Sequence, residues 1–226
     1  MMPYYVAPEQ MMQDKAEYAK KGIAKGRSII AMEYADGLLL IADNPAASLC
    51  KISEIYDRIA FCGVGKYSEF ESLRKAGIRH ADLKGYMYSR EDVSARSLAR
   101  AYSETLGGIF SQEVKPMEVE ILVVEVGAVS KPNEIYRITF DGSIIDEHGV
   151  VAIGGRSDAI LRFFDDCDHA NDVSLDTAVA LCRDAFAHAN AQDVTVDVLE
   201  IAVLGRDRSG RAFQRITAAV HDEMDT

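Results

Sequence analysis

Gly63-Val64-Gly65-Lys66 is the segment of this chain that comes nearest to a nucleotide site, a glycine-rich turn whose backbone amides and lysine would cradle phosphates. The pattern fails at both ends. Ala60 stands where the first glycine is required, and Tyr67 follows the lysine where Ser or Thr would hold magnesium. Gly154-Gly155 separates a β-like run from a helical one but lacks dinucleotide spacing, so its expected role is close backbone packing. No Gly-x-Ser-x-Gly elbow occurs, and an α/β-hydrolase triad has no anchor. Cys50, Cys62, Cys167 and Cys182 form no Cys-x-x-Cys, and Cys167 with His169 lacks a second ligand pair at zinc spacing. The cysteines are expected to be reduced, small core residues; no cofactor or metal is expected.

The elements that must position any site read as one domain. At 226 residues, with 48% apolar content, the chain can bury a sizeable core. Its formal charge of −11 argues against nucleic acid or an anionic membrane as partner, because phosphate binding relies on clustered Lys and Arg. No apolar run approaches the roughly 18 residues of a membrane span, and Met1-Met2-Pro3-Tyr4-Tyr5 lacks a basic stretch leading into an apolar one, so a cytoplasmic location is expected.

From Pro8 a helical period sets in, with Met12, Ala16, Ala19 and Ile23 on one face, Glu9 in the first turn and Gly26 as the stop. Two β-like runs follow, Ser28 to Tyr34 and Leu38 to Asp43, around the turn dipeptide Asp36-Gly37. Further strands read at Lys51 to Ser53 and Arg58 to Gly63. Two helices come next, marked by Phe70, Leu73, Gly77 and Ala81 and by Leu98, Tyr102, Leu106 and Ile109; Lys115-Pro116 ends the second. Strands return at Val119 to Val126, Glu134 to Phe140, Ser143 to Ile145 and Val150 to Ile153. A second helix pair includes one capped by Ser174 with Ala178, Leu181, Cys182, Ala185 and Ala189 inward, and the hairpin Val194 to Leu204 and Arg211 to Ile216 turns at Arg208-Ser209-Gly210. Strands, helix pair, strands and helix pair imply segregated layers, an α+β fold of two antiparallel sheets flanked by helices.

The stretch Glu17-Tyr18-Ala19-Lys20-Lys21-Gly22-Ile23-Ala24-Lys25-Gly26, running into Ser28 to Tyr34, Asp36-Gly37 and Leu38 to Asp43, resembles the start of proteasome α subunits. Lys51-Ile52, Tyr136-Arg137-Ile138-Thr139 before Asp141-Gly142-Ser143, and Ala152-Ile153-Gly154-Gly155 before a helix agree in order and spacing. The resemblance runs from about Pro8 to Gly205 and is strongest to the actinobacterial type. It implies the N-terminal-nucleophile hydrolase fold, a four-layer αββα sandwich with an extra N-terminal helix. Residues 1–7 would then be a gate segment, 8–218 the domain with its helix at about 8–25, and 219–226 a short acidic tail.

In catalytic β subunits a threonine freed at the N-terminus is the nucleophile, tuned by an aspartate and a lysine. The resemblance places Arg27 at the threonine position and Asp43 and Lys51 at the others, so no catalytic residue is expected. Two readings of Asp43 and Lys51 stay open: a structural ion pair between them, or Lys51 as the anchor for the C-terminal carboxylate of an activator's tail, with Gly26, Gly65 and Lys66 as further pocket elements. Met1, Met2, Pro3, Tyr4, Tyr5, Val6, Ala7 and Pro8 are either a simple chain end or arms that occlude a ring's pore. The Tyr-Asp-Arg opening of archaeal and eukaryotic α subunits is absent. The implied partners are β subunits, other α subunits in a heptameric ring, a ring ATPase with a docking tail, and unfolded or ubiquitin-like-tagged proteins. A competing reading is a self-processing hydrolase cut after Arg27, with Ser28 as nucleophile.

Overall fold

Leu38-Leu39-Leu40-Ile41 is apolar at every position because both faces of its sheet are covered. In the computed structural model, Leu38 and Leu40 enter one core with Ile29 and Ala31, while Leu39 and Ile41 enter another with Ile30 and Met32. The structure describes residues 7–46, 48–128, 131–167, 172–190, 198–208 and 210–216. Met1 to Val6 of the expected gate segment, the 219–226 tail, the expected strand start at Val194 and the turn residue Ser209 lie outside them.

The first sheet joins β1 (Ile29–Tyr34), β2 (Gly37–Asp43), β8 (Val150–Ile153), β9 (Leu199–Gly205) and β10 (Phe213–Ile216) in the order β10-β9-β2-β1-β8. The second joins β3 (Ile52–Tyr56), β4 (Ile59–Gly65), β5 (Val119–Glu125), β6 (Glu134–Ile138) and β7 (Ile144–Glu147) in chain order. Every pairing is antiparallel. Between the sheets lie Ala42, Ala60, Cys62, Val64, Leu122 and Val124, and this shared core holds the two layers together. Helices α2 (Tyr67–Met87) and α3 (Ala95–Gln112) cover the second sheet through Phe70, Leu73, Leu98, Tyr102 and Leu106. Helices α4 (Ser157–Asp166) and α5 (Leu175–Asn190) cover the first through Ile160, Phe164, Cys182 and Phe186. This is the expected αββα sandwich.

Helix α1 (Pro8–Ile23) is the added element. Its last turns place Ala19 and Ile23 in the inter-sheet core, with Ala16 packed against it. Met12, which shares their helical spacing, is 39% exposed: residues 7–14 are all exposed, and burial begins only in the later turns of the helix. The helix ends at Ile23 and the Gly26 amide donates to the Ile23 carbonyl, 2.8 Å, which turns the chain into β1.

One turn differs in register from expectation. Tyr34 pairs with Gly37, so the hairpin loop is Ala35-Asp36 and Gly37 is already a strand residue. Glycine is required there because a Cβ would stand 2.0 Å from the Leu204 carbonyl of β9. Ser174 caps α5 as expected, accepting from the Thr177 amide at 3.3 Å.

Candidate functional site

The junction between α1 and β1 faces the end of β2 and the start of β3, and this brings Arg27, Asp43 and Lys51 together. Asp43 closes β2; its amide donates to the Ser28 carbonyl, 3.1 Å, and its side chain is only 6% exposed. A carboxylate so placed needs a cation. Arg27 supplies it, with Nη1 2.7 Å from Asp43 Oδ1.

This corrects one of the two open readings. Lys51 is not hydrogen-bonded to the Asp43 carboxylate. Its ammonium donates to two backbone carbonyls, that of Arg27 at 2.7 Å and that of Asp43 at 3.1 Å. The structural ion pair is therefore Arg27–Asp43. Burial pushes the Lys51 ammonium down to about 8, against the opposing pull of Asp43 and Glu200. An ammonium has three N–H donors, so two carbonyls leave one for a further acceptor.

Gly26 and Gly65 meet at the same end of the sandwich. A Cβ on Gly26 would come within 3.1 Å of the Gly65 amide nitrogen, and Gly65 has φ +105° with the Glu118 carbonyl 1.9 Å from any added Cβ. Of the two glycines that imitate a phosphate loop, Gly65 thus lets backbone pack on backbone, and Gly63 makes room for the Phe70 ring, 2.7 Å from an added Cβ. Lys66 stands apart, its ammonium 3.2 Å from Glu69 in the first turn of α2. Of the four residues expected to hold a tail, Gly26 lies against Gly65, Lys51 bonds the Arg27 carbonyl, and Lys66 pairs with Glu69.

Arg27 and the Asp43 carboxylate also line a cavity of about 480 Å³ with Gly26, Ser28, Arg156 and Asn190. Lys51, Gly65 and Lys66 do not line it. Gly155 and Arg156 line it and are tied to the α1–β1 junction: the Gly155 amide donates to the Gly26 carbonyl at 3.0 Å and the Arg156 amide to Ser28 Oγ at 3.2 Å. The Ser28 hydroxyl is thus engaged as an acceptor, and Ser28 is only 5% exposed. Gly155 admits nothing larger, since an added Cβ would stand 2.2 Å from the Ala24 carbonyl.

Sequence reasoning missed Glu200. From β9 its carboxylate accepts from the Lys51 amide at 2.8 Å, the Ile52 amide at 3.1 Å and Asn44 Nδ2 at 2.8 Å, and pairs with Arg215 at 2.6 Å. A lone glutamate in an apolar strand was the available signal. Among the described residues no group of three or more His, Cys, Asp or Glu is placed to hold a metal ion, and no helix is long and apolar enough to cross a membrane.

Two antiparallel sheets, each covered on its outer face by a helix pair, define a member of the N-terminal-nucleophile sandwich class. Residues 23–204 match the proteasome subunit family, and the chain belongs to it. It is 50% identical over 224 residues to the proteasome subunit alpha of Thermomonospora curvata, covering 99% of this chain and 97% of that one. It is 51% identical over 226 residues to the proteasome subunit alpha of Kineococcus radiotolerans, covering 96% and 95%, and 49% identical over 231 residues to that of Parafrankia sp., covering 99% and 95%. It stands among the α subunits of the proteasome core, non-catalytic components of a protease complex that assemble with other proteasome subunits.

Proposed function

We propose that this subunit forms the outer, heptameric rings of a cytoplasmic core particle, gating entry to threonine-type sites on β subunits and docking a ring ATPase. Unfolded or ubiquitin-like-tagged proteins are the substrates that would pass. The observation that carries the reading is the pose of Lys51. Two backbone carbonyls hold its ammonium in place and leave one N–H for a partner's terminal carboxylate, in a partly desolvated setting where such a charge-assisted bond is strong. Gly26 and Gly65, packed against each other's backbone, would shape the wall of the docking site beside Lys51, with Lys66 at the rim.

The test is Lys51→Ala in a reconstituted α/β particle. Assembly is retained and stimulation of peptide hydrolysis by a tail-bearing ATPase is abolished; retained stimulation refutes the docking role. The gate has its own measurement: removing residues 1–7 raises hydrolysis of small peptides without an activator, and an unchanged rate refutes it. The Ser28 hydrolase gains no support from a hydroxyl already accepting the Arg156 amide, and an intact mass that begins at Ser28 would revive it.

A further inference from the structure

The loop that carries Lys51 has almost nothing apolar to seat it. Between Asp43 and Lys51, Pro45, Ala46, Ser48, Leu49 and Cys50 are all exposed, so burial does not fix its conformation. Its ends are held by one carboxylate. Glu200, with a side chain 11% exposed, takes Asn44 Nδ2 at 2.8 Å just past Asp43, and the amides of Lys51 at 2.8 Å and Ile52 at 3.1 Å at the other end. Asn44 relays the hold inward, because the same Nδ2 donates to the Leu49 carbonyl at 2.7 Å. Arg215 Nη1, 2.6 Å from Glu200 Oε1, supplies the opposite charge that a nearly buried carboxylate needs as a partner.

From this we infer that Glu200 is the positioning residue of the docking site: by clamping both ends of the 44–51 loop it sets Lys51 so that its ammonium meets the Arg27 and Asp43 carbonyls and presents its remaining N–H outward. The inference rests on the docking reading. Glu200 acts on Lys51 in a second way, since its negative charge opposes the desolvation that discharges the ammonium. Asp43 acts in the same sense and Arg27 in the opposite one. Geometry and charge thus come from one group, and neither requires Glu200 to touch the tail.

The experiment measures binding of a synthetic ATPase tail peptide, as free acid and as C-terminal amide, to the assembled α/β particle across a pH series. Lys51→Ala abolishes the preference for the free acid; if it does not, the docking reading fails and takes the inference with it. With that control in hand, Glu200→Gln weakens free-acid binding about tenfold, the scale typical of a group that orients a binding residue, and moves the alkaline loss of binding to lower pH. Glu200→Asp recovers part of both. Wild-type affinity and an unshifted pH profile in Glu200→Gln would overturn the inference while leaving docking intact. If Glu200→Gln does not assemble, Asn44→Ala decides, because it releases the loop's first end and the Leu49 carbonyl but keeps the Glu200–Arg215 pair: weaker binding supports a clamp at both ends and wild-type binding refutes it.

Discussion

The Arg27 guanidinium lies 2.7 Å from the Asp43 carboxylate, and the Arg27 carbonyl is at the same time an acceptor for the Lys51 ammonium. One residue therefore neutralises the buried acid with its side chain and seats the lysine with its backbone. Arg27→Ala separates the two roles. Asp43 loses its cation while 6% exposed, whereas the carbonyl that holds Lys51 stays. Because the guanidinium is 55% exposed, water reaches part of the space it leaves. The loss is then about 1–3 kcal/mol, the range for a buried polar group left without its partner, and below the ~3–5 kcal/mol of a fully buried ion pair that is broken. Denaturant unfolding of the purified chain measures it, and a midpoint equal to wild type would show that Asp43 is solvated without Arg27.

Charge on Lys51 ties docking to pH with a definite sign. With its folded value lowered to about 8 from the ordinary 10.5, Lys51 in the folded chain gives up its proton between those values while the unfolded chain still holds it. This group's contribution to stability therefore rises as pH climbs from about 8 to 10.5. Tail docking moves the other way, because a carboxylate needs the ammonium. Tail affinity is full below about 8 and weakens above it, in a range where the contribution of Lys51 itself to stability is rising. Fluorescence titrations with a labelled tail peptide at several pH values check this; affinity constant up to pH 10 would exclude an ammonium–carboxylate contact at Lys51.

Much of the scaffold was legible because its strands are doubly buried and its caps are local. Leu38 to Ile41 reads as strand from four residues, and Ser174 announces its helix through Thr177, three positions on. What escaped depends on distant neighbours. Gly37 looks like a turn residue until the Leu204 carbonyl appears beside it, and Met12 shares the helical spacing of Ala19 but lies in the exposed first turns. At the site, family resemblance placed Asp43 and Lys51 together, but which cation takes the carboxylate depends on side-chain reach. Glu200 lies 149 residues from Lys51 and follows no motif. A hydrogen-bonded clamp of that kind exists only once the sheet is assembled.

Two glycines make opposite predictions for the same substitution. At Gly155 an added Cβ would stand 2.2 Å from the Ala24 carbonyl and 3.0 Å from that of Gly26. Gly155→Ala must push the end of α1 off the 154–156 segment, at about 1–3 kcal/mol as for other overpacked sites. Gly108, inside α3, has nothing within 4 Å of such a carbon. There Gly108→Ala stabilises by about 0.5–1 kcal/mol through helix propensity. Thermal unfolding separates the two, and hydrogen exchange in Gly155→Ala shows faster amides at Ala24 and Gly26. Equal shifts of one sign would contradict the packing described at Gly155.

Cys50 offers a probe one residue from the docking lysine. Only two of the four cysteines are the core residues expected: Cys50 is exposed and Cys167 half-buried, whereas Cys62 and Cys182 are buried and desolvation pushes their thiols well above the usual range. Thiolate is the reactive form, so a maleimide under native conditions modifies Cys50 first, and Cys62 and Cys182 only after unfolding. Peptide mapping by mass spectrometry gives the order. A bulky adduct at Cys50 crowds the approach to Lys51 without cutting the Glu200 contacts to the Lys51 and Ile52 amides. Stimulation by a tail-bearing ATPase then falls, while basal hydrolysis by the particle stays as it was. A methylthio adduct at the same sulfur leaves stimulation in place, which separates bulk from loss of the thiol, and Cys50→Ser removes the effect of the maleimide on stimulation. Full stimulation with the bulky adduct in place would mean that the tail does not reach Lys51 past Cys50, and the route to the anchor would have to lie on the Gly26 and Gly65 side.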